Sequence, residues 1–278
     1  MLLRIVSGVI GIPLLVLLVF IKQGLPFILG VGLISVIGLN EFYRGVRKTG
    51  ARPQEWLGLA SALLFLFAAR QGFKSVGFEL PAVLTLLVLA SLTVELIRRD
   101  RAPIRNLGAT LLGAVYVGWL FSYLVALRSV PGHTPVAGLG RELPLGAWLV
   151  LYIIFTAWAA DTGSYFIGRR FGRHKLTPVL SPGKSWEGLL AGIAASIAMS
   201  AVMGGLIGIP WGHVLIIGIG VALVNLVGDL AESSMKRDIG IKDFGSLLPG
   251  HGGILDRFDG LLFAAPLFYY YVAIVLRW

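Results

Sequence analysis

The densest concentration of chemically useful side chains runs from Ser233 to Asp259, SSMKRDIGIKDFGSLLPGHGGILDRFD. Gly250, Gly252 and Gly253 allow a tight backbone path just ahead of an apolar helical run, where free N–H groups and the helix dipole favour phosphate oxygens. Asp256 and Asp259, three positions apart, share one face of that helix's first turn. Carboxylates beside a phosphate site suit magnesium, a hard cation that takes one or two carboxylates and completes its shell with phosphate oxygens and water. Asp229 and Asp256 are the expected ligands. Helix capping by Asp256 and Asp259 would gain about 0.3 to 1 kcal/mol from the dipole, and it leaves the flanking Lys236, Arg237, Lys242, His251 and Arg257 unexplained.

Two further polar stripes interrupt apolar runs. Asp161, Ser164, Tyr165 and Gly168 follow the i, i+3, i+4, i+7 spacing of one helix face, and Asn225, Asp229, Glu232, Ser233 and Lys236 do likewise. An Asp near the centre of a membrane helix costs about 2.5 to 3.5 kcal/mol on insertion scales, which marks such residues as functional candidates. Interhelical hydrogen bonding is the structural alternative for either stripe alone; two stripes together favour a site. Between them lies a basic loop, RRFGRHKLTPVLSPGKSWE. Its Gly183-Lys184-Ser185 resembles the end of a phosphate-binding P-loop, but Pro178 stands where the first glycine belongs and both flanks read as membrane spans, so a P-loop is excluded. The plainer alternative is a topogenic loop against anionic lipid.

Other chemistries are ruled out. There is no cysteine, hence no disulfide, thiolate metal site or thiol nucleophile. No His-Glu-x-x-His zinc pattern occurs, and His133, His174 and His213 are scattered singles, leaving His251 as the one histidine expected to act. The net charge of +10 sits in short loops rather than on an aromatic-studded surface, which argues for membrane lipids and phosphorylated substrates as partners and against nucleic acid.

The elements that carry these residues are helices in a bilayer. Only 14% of residues are charged against 56% hydrophobic, with a mean hydropathy of +0.84, whereas soluble chains carry about a quarter charged residues. Runs near the roughly 20 residues that cross hydrocarbon predict nine spans: Leu3 to Ile21, Leu25 to Tyr43, Trp56 to Ala69, Leu80 to Ile97, Leu107 to Leu127, Gly146 to Gly168, Gly188 to Ile209, Trp211 to Met235 and Phe258 to Leu276. The first follows Met-Leu-Leu-Arg without a signal-peptide cleavage site and is expected to be retained. The reading is an all-α polytopic membrane protein, with N-terminal spans over residues 1–145 and a catalytic region over 146–278 that carries loops 169–187 and 236–257. With the N-terminus inside, the outer segments hold Lys22, Arg70, Lys74, Arg128, Arg141 and Arg277, and every other member of the 24 basic residues lies inside. The positive-inside rule therefore puts the N-terminus and both long basic loops on the cytoplasmic face, and the membrane is expected to be a bacterial inner membrane.

The Ser233 to Asp259 segment resembles the signature of phosphatidate cytidylyltransferases: Ser-x-hydrophobic-Lys-Arg, four residues, Lys-Asp, then His-Gly-Gly-hydrophobic-x-Asp-Arg-x-Asp. The resemblance extends to Asp161-Thr-Gly-Ser-Tyr-Phe, Ser181-Pro-Gly-Lys-Ser-Trp-Glu-Gly188 and Gly228-Asp-Leu-Ala-Glu-Ser233. It implies attack by the phosphate of phosphatidic acid on the α-phosphorus of CTP, giving CDP-diacylglycerol and pyrophosphate. On that basis Asp229 and Asp256 are expected to ligate magnesium with Asp259, Glu232 and Asp161 as further ligands or outer partners, and a second cation such as potassium is implied. Lys184, Lys236, Arg237, Lys242 and Arg257 are expected to neutralise the polyphosphate, His251, Gly252 and Gly253 to contact its oxygens, and Ser185, Asp243 and Tyr165 to line the substrate site. A homodimer is implied by the family alone. Two rivals stand beside this reading: a CTP-dependent lipid-alcohol kinase, which would release CDP, and an ion-coupled transporter using the buried carboxylates as a relay.

Overall fold

The computed structural model describes residues 2–71, 79–98, 102–135, 142–246 and 252–278, with the side chains of 2–10, 22 and 79 outside the description. Nine helices follow one another among these residues: α1 Leu2–Phe20, α2 Leu25–Arg47, α3 Glu55–Arg70, α4 Glu79–Arg98, α5 Pro103–Arg128, α6 Leu145–Phe171, α7 Trp186–Ile207, α8 Trp211–Ile239 and α9 Leu255–Leu276. Each predicted span falls on one of them. Seven, α2 and α4 to α9, are long and apolar enough to cross a membrane, which makes the chain an all-α polytopic membrane protein. α3 has 16 residues and reaches about 24 Å at 1.5 Å per residue, short of a full hydrocarbon crossing of about 30 Å. The only strands among the described residues form two small antiparallel hairpins, β1 His133–Pro135 with β2 Glu142–Pro144 and β3 Lys175–Thr177 with β4 Ser181–Ser185.

Helix ends follow local chemistry. α2 begins at Leu25-Pro26 after the left-handed Gly24, and α7 and α8 stop at Gly208 and Gly240, both at φ 76°, where a residue without Cβ closes the last turn. Two span limits differ from the sequence reading. α8 runs on to Ile239, so Lys236 and Arg237 are helical; α9 opens at Leu255 rather than Phe258, which puts Asp256 in its first turn as expected and Arg257 with it. The 169–187 loop is likewise shorter, because α6 continues through Phe171 and the rest folds into the β3–β4 hairpin.

α5 and α6 form the centre of the bundle, 72% and 67% buried, while α4 is peripheral at 17%. One hydrophobic core runs from Val19 on α1 to Val272 on α9 and takes in described residues on both sides of position 145. Small residues let the helices touch. A Cβ on Gly118 of α5 would lie 2.7 Å from the Ala62 Cβ of α3, and one on Gly218 of α8 would lie 2.7 Å from Ile197 Cα of α7, the close approach that membrane bundles use in place of hydrophobic drive. Hydroxyls add to it: Ser196 donates to the Gly218 carbonyl and Ser200 to that of Val214, each at 2.7 Å. His213 pairs with Tyr271 at 2.8 Å, a structural contact.

The loop after α2 is tied down by a buried polar knot. Asn106 of α5 accepts the Arg52 amide at 2.8 Å and donates to Glu95 of α4 at 2.6 Å, while Gln54 donates to the other Glu95 oxygen at 2.9 Å. Asn106→Ala removes two of these bonds and leaves Glu95 under-satisfied in a dry site, and we expect a loss of about 2 kcal/mol, read as a lowered thermal midpoint in detergent.

Candidate active site

α6, the β3–β4 hairpin, α8 and α9 enclose a cavity of about 950 Å³, at the upper end of the range for ligand sites. Asp161, Tyr165 and Arg169 enter from α6, Lys175, Lys184 and Ser185 from the hairpin, Asn225 and Asp229 from α8, and Asp256, Arg257 and Asp259 from α9. The two polar stripes meet: Asn225 Nδ2 donates to Asp161 Oδ1 at 2.5 Å. The hairpin closes over them, Lys184 Nζ lying 2.7 Å from Asp229 Oδ2. Its base is latched by His174, whose ring nitrogen is 2.7 Å from Glu187 Oε1.

α8 and α9 cross where both are glycine. A Cβ on Gly228 would lie 2.6 Å from the Asp259 carbonyl oxygen and 2.9 Å from Gly260 Cα. This contact brings the adjacent Asp229 and Asp259 into one cavity. Beneath them Lys236 Nζ sits 2.8 Å from Asp256 Oδ1 and 3.1 Å from Glu232 Oε1. Glu232 is fully buried, and both its oxygens lack a hydrogen-bond donor among the described residues, Lys236 facing it as an ion pair. Asp256 Oδ2 accepts the backbone amides of Phe244 at 3.0 Å and Gly253 at 2.9 Å. Gly252 makes that path possible with φ of 81°, a conformation an L side chain rarely adopts.

The expected site residues thus separate into groups. Asp161, Tyr165, Lys184, Ser185, Asp229, Asp256, Arg257 and Asp259 line the cavity, with Glu232, Lys236 and Gly253 directly behind it. Ser185 corrects its expectation in part: its hydroxyl accepts the Gly188 amide at 3.1 Å and caps α7. Gly183 to Ser185 lie in strand β4, as the rejection of a P-loop requires. Lys236 is committed to two carboxylates rather than extended into the cavity. Arg237, Lys242 and Asp243 are exposed and not among the cavity's lining residues, and His251 lies outside the described residues. Arg169 and Lys175, which line the cavity, and the Phe244 amide behind it were missed.

The donor set suits a hard cation. A carboxylate offers about four lone-pair sites; Asp256 uses three, Asp229 gives one oxygen to Lys184 and the other to Ser233 at 3.3 Å, and Asp259 accepts the Gly260 amide at 2.7 Å. All three retain capacity. No closed group of three acid or histidine ligands is assembled among the described residues, and magnesium bound with a nucleotide needs only one or two.

The profile of the cytidylyltransferase family matches residues 2–275. A phosphatidate cytidylyltransferase of Synechocystis is 35% identical over 98% of this chain and 97% of its own length. The Bacillus subtilis protein of that name is 29% identical over 98% and 97%, and the Haemophilus influenzae protein 42% identical over 47% and 48%. A profile that runs from the first described residue into the last turn of α9, over a cavity assembled from the segments that carry the sequence signature, leads to one conclusion: the chain belongs to the cytidylyltransferase family.

Proposed function

We propose that the chain is a phosphatidate cytidylyltransferase, joining CTP and phosphatidic acid to give CDP-diacylglycerol and pyrophosphate. The observation that carries this reading is the meeting of Asp161, Asp229, Asp256 and Asp259 with Arg169, Lys175, Lys184 and Arg257 around one cavity. Two polyanions must approach there, so charge neutralisation is the main catalytic requirement and alignment for in-line displacement the second. A phosphate oxygen of the lipid forms a bond to the α-phosphorus of CTP while the bond to pyrophosphate breaks, and the nucleophile needs little deprotonation at neutral pH.

Asp229 and Asp256, with Asp259 beside them and Glu232 behind, would hold magnesium, which supplies a positive charge to the triphosphate oxygens. Lys184, Lys175 and Arg257 neutralise the leaving pyrophosphate. Lys236 acts at one remove, fixing Asp256 through a 2.8 Å bond. Tyr165 and Phe166, both exposed, join Leu189, Ala222 and Leu226 in the cavity's apolar lining and would seat the acyl chains. With a cytoplasmic N-terminus and all nine helices crossing, α3 as a short span, the hairpin and the C-terminal end of α8 would lie where CTP is available.

The test is purified protein in detergent with phosphatidic acid, magnesium and CTP labelled at the α-phosphate. Label in CDP-diacylglycerol with stoichiometric pyrophosphate is the expected result. Label released as CDP with a phosphorylated lipid alcohol would replace this reading with the kinase, and substrate flux into proteoliposomes without nucleotide turnover would replace it with the transporter.

A further inference from the structure

Glu41 belongs to α2, which supplies no residue to the cavity wall, yet its carboxylate is buried against the catalytic segment. Glu41 Oε2 accepts the N–H of Leu255, the residue that opens α9 and precedes Asp256, at 3.0 Å. A Cβ on Gly253 would lie 2.6 Å from the same oxygen, and one on Gly245 would overlap Glu41 Oε1. The carboxylate is therefore seated between these two glycine backbones. Its neighbours on α2 continue the surface: the Phe42 ring meets that of Phe244 at 5.7 Å, and a Cβ on Gly45 would lie 3.0 Å from the Phe244 ring.

Phe244 and Gly253 are the two residues whose amides hold Asp256 Oδ2. One face of α2 thus packs against both residues whose amides orient Asp256, and Glu41 holds the amide immediately before it. A carboxylate in an apolar helix is costly unless its bonds are made. Here they are made to the segment whose geometry the chemistry depends on.

We propose that Glu41 is a positioning residue for the reaction, fixing the backbone around Asp256 from the N-terminal half of the chain. The inference rests on the catalytic reading of Asp256, but one arm of its test does not need turnover. The experiment compares parent, Glu41→Ala and Glu41→Gln by hydrogen exchange of the Phe244, Gly253 and Leu255 amides without substrate, and by kcat and KM. In Glu41→Ala we expect exchange at these amides to accelerate about tenfold or more with protection in α3, α6 and α7 unchanged. We expect kcat to fall by about thirtyfold with KM for phosphatidic acid within about twofold. Gln retains an acceptor for the Leu255 amide and should bring both readouts to within about threefold of the parent. Parent-level kcat or parent-level local exchange in Glu41→Ala would overturn the proposal. So would loss of protection throughout the helices, which would make Glu41 a residue of the fold, or a Gln variant as impaired as Ala. A parent without cytidylyltransferase activity would sink the functional reading, while local acceleration of exchange would still report the brace.

Discussion

Asp256→Asn is expected to lower the rate of CDP-diacylglycerol formation by about a thousandfold, roughly 4 kcal/mol of transition-state stabilisation, while the purified protein keeps its detergent gel-filtration profile. The reason is that one carboxylate does three things. It takes Lys236 at 2.8 Å, accepts the Phe244 and Gly253 amides, and still lines the cavity. An amide in its place sets an N–H₂ against either the lysine or the two backbone donors, so whichever way it turns one contact becomes repulsive. It also removes the negative charge that pairs with Lys236 and that would hold a divalent cation. Activity within tenfold of the parent, in protein shown to be folded, would reject Asp256 as a ligand or organiser of the site.

Much of this site could be read before any coordinates. Asp161 and Asn225 announced themselves as polar residues at helical spacing inside apolar runs, and their direct bond is what two such stripes require of each other. Asp256 and Asp259 were placed on one face by spacing alone. What spacing could not convey was partnership across the chain. Nothing local says that Lys184 on a hairpin reaches Asp229 on α8, or that Lys236, which spacing already sets beside Glu232, also takes Asp256 of α9. Ser185, expected at the substrate site from the resemblance, lines the cavity and also caps α7, a second role that a serine just before a helix commonly takes. Glu41 falls at the end of its apolar run, where an acid reads as a membrane-edge residue, and only the fold brings it to the Leu255 amide. The helix boundaries moved for a related reason: charged residues at membrane edges read as loop when hydropathy sets the limits, though the backbone continues through Lys236 and Arg237.

Gly228→Val is the second large effect, and it tests geometry rather than charge. The valine Cβ would meet the Asp259 carbonyl at 2.6 Å and Gly260 Cα at 2.9 Å, both of them backbone that cannot rotate away. α8 and α9 must then separate or slide, at a cost of about 1 to 3 kcal/mol for overpacking. Asp229 follows Gly228 on one helix and Asp259 precedes Gly260 on the other, so the shift acts directly on the distance between two cavity carboxylates. A displacement of about 1 Å in a catalytic constellation can remove a hundredfold of rate, and that is the loss in kcat we expect, with Gly228→Ala intermediate. Gly212 on the same helix has open space around its Cβ position, so Gly212→Ala supplies the control and should turn over like the parent. A Gly228→Val enzyme with kcat within threefold of the parent would show that the helix crossing is not what brings Asp229 to Asp259.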